Sequence, residues 1–295
     1  MTFKARVQQV SAPFVARLTR AALRLPLPLK DKKALWRGAN RRFFHSRSEI
    51  LGSDALGHTL NCRLDDFVQR HIAIFGLWEP TLTAYILTKV PVDGIFIDIG
   101  ANVGYFSLLA SARFAKVVSF EPSPSIYAAL IRNIELNGIR NIKALDIAIS
   151  DCERTAPFYR SDRSNSGNSS LSEGIGRDLE GYVRCAPLQT VITDEEWRKV
   201  RFIKVDVEGH EAEVISSLLR SVEVLREDLE IVVQIDPRSC AAFDMLCDAG
   251  FHAFDLRSNY AVECYLVPGN AGPIPIQTVP GHETDCLFRR SPTLF

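Results

Sequence analysis

Two short apolar runs, joined through a glycine turn and a helix-like segment, constrain this chain more than any other feature. Ile95-Phe96-Ile97 ends on Asp98, and the turn Gly100-Ala101-Asn102-Val103-Gly104 follows. A helical segment is expected from Tyr105 to about Phe114, and a second apolar run, Val117 to Phe120, ends on Glu121. Short uninterrupted apolar runs predict strands buried on both faces, and two of them joined through a helix make a βαβ unit. Such units are right-handed almost without exception, so both strand ends open onto one edge of a parallel sheet. Open α/β sheets bind ligands along that edge. Asp98 and Glu121 are therefore predicted to face one crevice, with the glycine turn between them.

The turn discriminates between cofactors. A dinucleotide site requires G-x-G-x-x-G so that backbone can approach a pyrophosphate. Starting at Gly100, the chain places Asn102 and Tyr105 where that pattern needs glycine. The remaining pattern, Asp98-x-Gly100-x-Asn102-x-Gly104, resembles the acidic and glycine-bearing loop of class I S-adenosylmethionine-dependent methyltransferases. Glu121, 17 residues beyond Gly104, stands where an acid can accept both ribose hydroxyls. An ordinary βαβ turn with two incidental acids is the alternative.

Along the chain, β and α signals alternate, which predicts a doubly wound α/β sheet. Ser11 reads as an N-cap and Pro13 as the first turn of a helix. Behind them Phe14, Leu18, Ala21 and Leu25 fall on one stripe, beside Arg17, Arg20 and Arg24, before Pro26 and Pro28 end the helix. Residues 52–72 read only as short strands or turns. Glu79-Pro80 opens a helix, and Pro124 to Asn137 forms another, closed by Gly138. Strands are expected at Ile142–Leu145, Phe202–Val205, Ile231–Ile235, Phe251–Leu256 and Thr284–Phe288, with Tyr260–Val267 as a further candidate. Helices are expected after Glu211 and over Ser239–Ala249. The segment 161–176 holds six serines and three glycines in 16 residues, a loop composition that fits a substrate lid and plain disorder equally.

Charge is distributed unevenly. Residues 1–50 contain 12 Lys/Arg and 2 Asp/Glu, although the whole chain of 295 residues is balanced at 35 and 35. A basic extension (residues 1–60) is thus expected before the main domain (61–295). A basic amphipathic helix can lie on an anionic membrane surface or pack on the body, so peripheral membrane contact through residues 11–25 is one expectation. Nucleic-acid binding is not expected, because no aromatic platform or known motif accompanies the basic residues. The seven cysteines are scattered without C-x-x-C spacing, which argues against a disulfide framework or structural zinc and for a cytoplasmic protein. No apolar run approaches membrane-span length, and arginines interrupt what would otherwise be a signal-peptide core.

Four segments stand together in the order and spacing of one family: Phe96-Ile-Asp-Ile-Gly-Ala-Asn-Val-Gly104, Phe120-Glu-Pro-Ser-Pro124, Asn133-x-x-x-Asn137-Gly138 and Ile203-Lys-Val-Asp-Val-Glu-Gly-His-Glu211. They resemble the FkbM-type methyltransferases, over roughly Trp78 to Phe288. The resemblance implies a class I methyltransferase fold, with seven mostly parallel strands and the last antiparallel. It also implies S-adenosylmethionine as donor and a hydroxyl acceptor on a sugar, glycan, glycolipid or other natural product. The expected cofactor residues are Asp98, Gly100, Asn102, Gly104, Glu121, Pro122, Asp146 and Ala148. Two departures from the family pattern, Gln189 after Leu188 and Gln234-Ile235-Asp236, are expected near the acceptor.

Asp206, Glu208 and His210 leave one predicted strand end toward the same crevice and are the catalytic candidates. Glu208 or His210 could take the acceptor proton. Alternatively, Asp206 and Glu208 could hold a divalent cation. Helix-capping is the purely structural role open to these residues, and for His210 the favoured one. An NAD-dependent oxidoreductase and a non-catalytic binding protein on the same fold are the competing classes. Oligomeric state is not legible.

Overall fold

The computed structural model describes residues 3–45, 47–89, 92–161, 169–171, 177–237, 240–267 and 272–292. Helices α1 (Phe3–Leu23) and α2 (Leu29–Phe43) lead to a hairpin of β1 (Glu49–Ser53) and β2 (Thr59–Arg63). Helices α3 (Phe67–Phe75) and α4 (Pro80–Leu87) follow. The central unit is β3 (Val92–Ile99), α5 (Tyr105–Ser111) and β4 (Phe114–Phe120), continued by α6 (Pro124–Leu136) and β5 (Ile142–Leu145). Next come β6 (Ile147–Ile149), β7 (Arg154–Ser161), β8 (Arg177–Ala186), and the short helices α7 (Leu188–Val191) and α8 (Asp194–Trp197). The chain closes with β9 (Val200–Val205), α9 (Glu211–Leu219), β10 (Glu230–Ile235), α10 (Ala241–Asp248), β11 (His252–Asp255), α11 (Val262–Leu266), β12 (Ile274–Ile276) and β13 (Thr284–Arg289).

Among the described residues the main sheet runs β12-β11-β13-β10-β9-β3-β4-β5. Strands β10, β9, β3, β4 and β5 are mutually parallel, and β13 inserts antiparallel between β10 and β11. The expected doubly wound sheet of seven strands with the last antiparallel is thus present, and β12 adds a short eighth strand at the edge. A second sheet, β6-β8-β7, stands beyond β5. Strands β3 and β9 are buried along both faces because their side chains alternate between two apolar cores. Phe96 and Phe202 stack on one side at 5.0 Å and 7°, while Ile97 and Ile203 enter the other.

The N-terminal helices differ from expectation. Helix α1 begins at Phe3, so Ser11 is not its N-cap and Pro13 lies inside it. Ala12, Ala16, Thr19 and Leu23 form its buried face, and this tertiary packing overrides the breaking tendency of an interior proline. Trp36 of α2 is buried against Phe44, His71 and Phe75, which places the first two helices in the same apolar core as α3 and α4. Residues 52–72 contain the second half of the hairpin and most of α3, which Asp66 caps by accepting from Gln69 N–H at 2.9 Å. Tyr260–Val267 is not a strand. It forms α11, whose Tyr265 packs on His71 and Phe75, while the sheet edge is taken by β12. Of the serine-rich segment, residues 162–168 and 172–176 lie outside the described residues.

Candidate active site

The parallel strands end along one edge, and there the backbone itself is tightly fitted. Gly100 N–H and Ala101 N–H both donate to Phe120 O, at 3.0 and 2.9 Å, and Asp206 N–H donates to Ile99 O at 3.0 Å. Gly100 has φ +81, and a Cβ added there would stand 1.8 Å from the Asp206 carbonyl oxygen. Gly104, at φ +91, begins α5 where a Cβ would meet Leu130 at 2.5 Å. Asn102 also adopts positive φ, +49, which asparagine tolerates better than most residues. The turn therefore lies hard against the β9 strand end, with no room for a side chain at Gly100.

Two clefts open on either side of this turn and share Gly100, Asn102 and Asp206. The first, about 590 Å³, is walled by Phe120, Ile126, Ile147, Phe158 and Leu171, with Glu121, Pro122, Ala148 and His210 at its lining. Glu121 is buried and accepts Asn102 N–H and Ser123 N–H, each at 2.9 Å. Burial lifts its carboxyl to about 7, even though both backbone donors pull the other way. An apolar slot with one hydrogen-bonded acid at its rim suits a nucleoside, with the acid on the ribose diol. Asp98 and Asp146 do not line it. Asp98 is fully buried beneath the turn, accepts from Ser107 at 2.5 Å, and its Oδ1 has no hydrogen-bond partner. Asp146 is exposed at the end of β5.

The second cleft, about 890 Å³, is lined by Trp78, Glu79, Tyr105, Lys204, Asp206, Glu208, Gln234, Tyr260 and Glu283, among others. Lys204 is buried, with its Nζ 3.0 Å from Asp206 and 5.1 Å over the Phe106 ring. Asp206, Glu79 and Asp98 all act on that ammonium, so several acids share one cation. Burial, followed by repulsion from Asp206, lifts Glu208 to about 9. Burial and Asp285 push Glu79 well above the ordinary carboxylate range. Among the described residues no group of three His, Cys, Asp or Glu is arranged to hold a metal ion. The Asp206–Glu208 pair does not fit the cation-binding alternative, because Lys204 already supplies the positive charge at Asp206.

From the sequence Glu79 opens a helix and stands behind Asp206 and Glu208, beside His210, as a candidate base. The structure gives it a tightly constrained setting. Its backbone is at φ +41, its side chain is buried, Oε1 accepts from the Tyr260 hydroxyl at 3.4 Å, and Oε2 has no partner. The signal available was the Trp-Glu-Pro run, which fixes a polar residue between an aromatic and a helix start. His210 lies in the first cleft and not the second. Its ring nitrogens are engaged by Ser150 at 3.0 Å and Glu213 at 3.4 Å. Glu211, the first residue of α9, reaches back to the preceding turn and accepts Gly209 N–H at 3.0 Å. Gln189 is bound to Ser217 and Ser221 and lines neither cleft, contrary to the expected place near the acceptor. Gln234 does line the second.

The strand order, the glycine turn and the acid at the end of β4 define a class I methyltransferase fold. Residues 98–252 match the methyltransferase FkbM domain, and the chain belongs to that family. The dinucleotide alternative falls with that assignment. Among curated relatives, methyltransferase sdnD of Sordaria araneosa is 27% identical over 165 residues, covering 45% of this chain and 64% of that protein. The hexuronic acid methyltransferase AglP of Haloferax volcanii is 26% identical over 166 residues, covering 54% and 65%. The chain thus matches less than two thirds of the length of either relative. A solved structure, precorrin-6y C5,15-methyltransferase of Geobacter metallireducens, aligns with TM-score 0.41 at 14% identity, covering 72% of this chain and 86% of that one. No helix among the described residues is long and apolar enough to cross a membrane.

Proposed function

We propose that this protein methylates a hydroxyl group on a sugar, glycan, glycolipid or natural product, using S-adenosylmethionine. The supporting observation is the pair of clefts that meet at Gly100, Asn102 and Asp206, one suited to a nucleoside and the other acidic and aromatic. Bound S-adenosylmethionine would supply an electrophilic methyl group on a sulfonium that leaves as a neutral sulfide. The chain's residues then have two tasks: to hold donor and acceptor in line, and to remove the acceptor proton. Gly100 to Gly104 and Glu121 serve the donor.

Trp78 and Tyr260, stacked at 5.4 Å and 27°, offer an aromatic wall for the apolar face of a sugar ring. The relative named for hexuronic acid supports a sugar acceptor. Here, however, Lys204 is already paired with Asp206, while burial keeps Glu79 and Glu208 protonated, so the described lining offers a carboxylate no unpaired cation, which favours an uncharged hydroxyl compound. Tritiated methyl supplied on S-adenosylmethionine should enter one of the lipid, glycan or small-molecule fractions of a cell extract, with the product identified by mass spectrometry. Failure of every fraction to take label, with donor bound, would favour the non-catalytic reading.

The donor reading has its own check. Glu121→Ala should weaken S-adenosylhomocysteine binding by about 1.5–3 kcal/mol, as expected for hydrogen bonds to a charged group. Because the ribose hydroxyls need an ionised acceptor, affinity in the parent should fall as pH drops through about 7, where Glu121 gains its proton. Calorimetry across pH would show that slope, and Glu121→Ala should flatten it.

A further inference from the structure

The Phe14 stripe, read from sequence as the apolar side of a helix, is not what packs against the protein. Phe14 is 65% exposed, Leu18 54% and Leu25 53%, while the opposite face of α1 carries the contacts to the body. Leu27, Leu29 and Leu35 add further exposed apolar area at and beyond the α1–α2 corner. Single exposed apolar side chains are ordinary on a surface, but several on one helix face form the kind of patch that marks a contact surface. Arg17 and Arg24 follow Phe14 and Ala21 by three residues each, so they flank the stripe, and both are exposed. Lys30, Arg37 and Arg41 are exposed on the next helix, against Asp31. Arg20 belongs to the other side: it is bonded to Ser53 and to Ala73 O.

We propose that the exposed face of α1 and the α1–α2 corner docks on an anionic lipid bilayer. The leucines and Phe14 would enter the headgroup boundary while Arg17, Arg24 and Lys30 meet lipid phosphates. Charge selects this occupant. A second copy presenting the same face would oppose like charges, and a neutral apolar partner would leave the flanking arginines unmatched. The inner face of α2 is fixed through Trp36 and His71 to Tyr265 and Trp78. Docking would therefore hold the wall of the second cleft near the membrane surface, without depending on what that cleft methylates.

The test is co-sedimentation of the full chain with vesicles of phosphatidylcholine alone or mixed with phosphatidylglycerol. At roughly 0.01 M salt, where charges act over about 30 Å, the protein should pellet with the mixed vesicles only, and most of it should be released near 1 M. A Phe14→Ser, Leu18→Ser, Leu25→Ser variant and an Arg17→Glu, Arg24→Glu variant should each lose at least tenfold in vesicle partitioning. All five positions are exposed, so melting temperature and S-adenosylhomocysteine affinity should stay at parental values. Three results would overturn the proposal: no binding to the mixed vesicles at low salt, a serine variant that binds like the parent, or a salt-sensitive dimer in which the stripe becomes protected. Loss of vesicle binding with donor affinity intact separates this surface from the methyltransferase reading.

Discussion

Gly100→Ala should lose both stability and donor binding, and by more than a substitution at any other described glycine. An alanine at φ +81 carries the left-handed penalty of about 1–2 kcal/mol. The larger cost is steric. The new methyl would stand 1.8 Å from the Asp206 carbonyl oxygen and 2.9 Å from its carbon, both backbone atoms held by the β3–β9 pairing. Relieving that overlap means parting the two strand ends that form the floor of both clefts, and overpacking of this kind adds about 1–3 kcal/mol. A total of about 2–5 kcal/mol is a large share of a typical 5–15 kcal/mol. Gly138→Ala is the control: φ is +61, but nothing lies within 4 Å of the added carbon. It should show the backbone penalty alone and leave S-adenosylhomocysteine affinity unchanged. Equal melting shifts for the two variants would mean the strands part without cost, and the tight-turn account would fail.

What the sequence revealed and what it hid divide along physical lines. The βαβ unit was legible because Ile95–Ile97 and Val117–Phe120 are buried on both faces, and the one polar residue in them, Ser119, is itself buried and hydrogen-bonded to Ser107. Glu121 was legible for a related reason: a strand end on the binding edge is fixed by topology. The first helix was misjudged at its start, where Ser11 and Pro13 carry the local signal of an N-terminus yet lie within α1. Its buried side is built of Ala12, Ala16 and Thr19, small residues that allow close packing but give little hydrophobic signal. Tyr260–Val267 has the aromatic and β-branched content of a strand. Its choice of helix is made by long-range contacts of Tyr265 that no local pattern records. Glu79 stood only as a fallback base, since the setting that raises its carboxyl depends on Asp285, Lys204 and Asp206 being brought to it from far along the chain.

Glu79→Gln should cost at least about a hundredfold in turnover, the range for losing a general base, while donor affinity changes by no more than a few-fold. The acid lines the second cleft and its buried Oε2 has no hydrogen-bond partner, so once ionised it can take a proton from a hydroxyl held there. Its neighbours set the working pH. Burial and Asp285 hold Glu79 protonated above the normal range, and Lys204 opposes them. Glu208 stands nearby with a carboxyl lifted to about 9. Methyl transfer by the parent should therefore rise with pH from acid into the alkaline range, as the base loses its proton. Asp206→Asn should instead affect Lys204 and both clefts together, losing donor affinity as well as rate. The stability effect of Glu79→Gln has the opposite sign to its effect on rate. A carboxyl whose folded pKa is raised favours folding below its unfolded value, and that contribution is lost as pH climbs through the folded pKa. The parent should thus lose stability relative to Glu79→Gln as pH rises above about 4.5, a divergence readable in paired thermal melts. Turnover within a few-fold of the parent, using the acceptor found by methyl labelling, would move the base to Glu208. In that case Glu208→Gln should take the hundredfold loss.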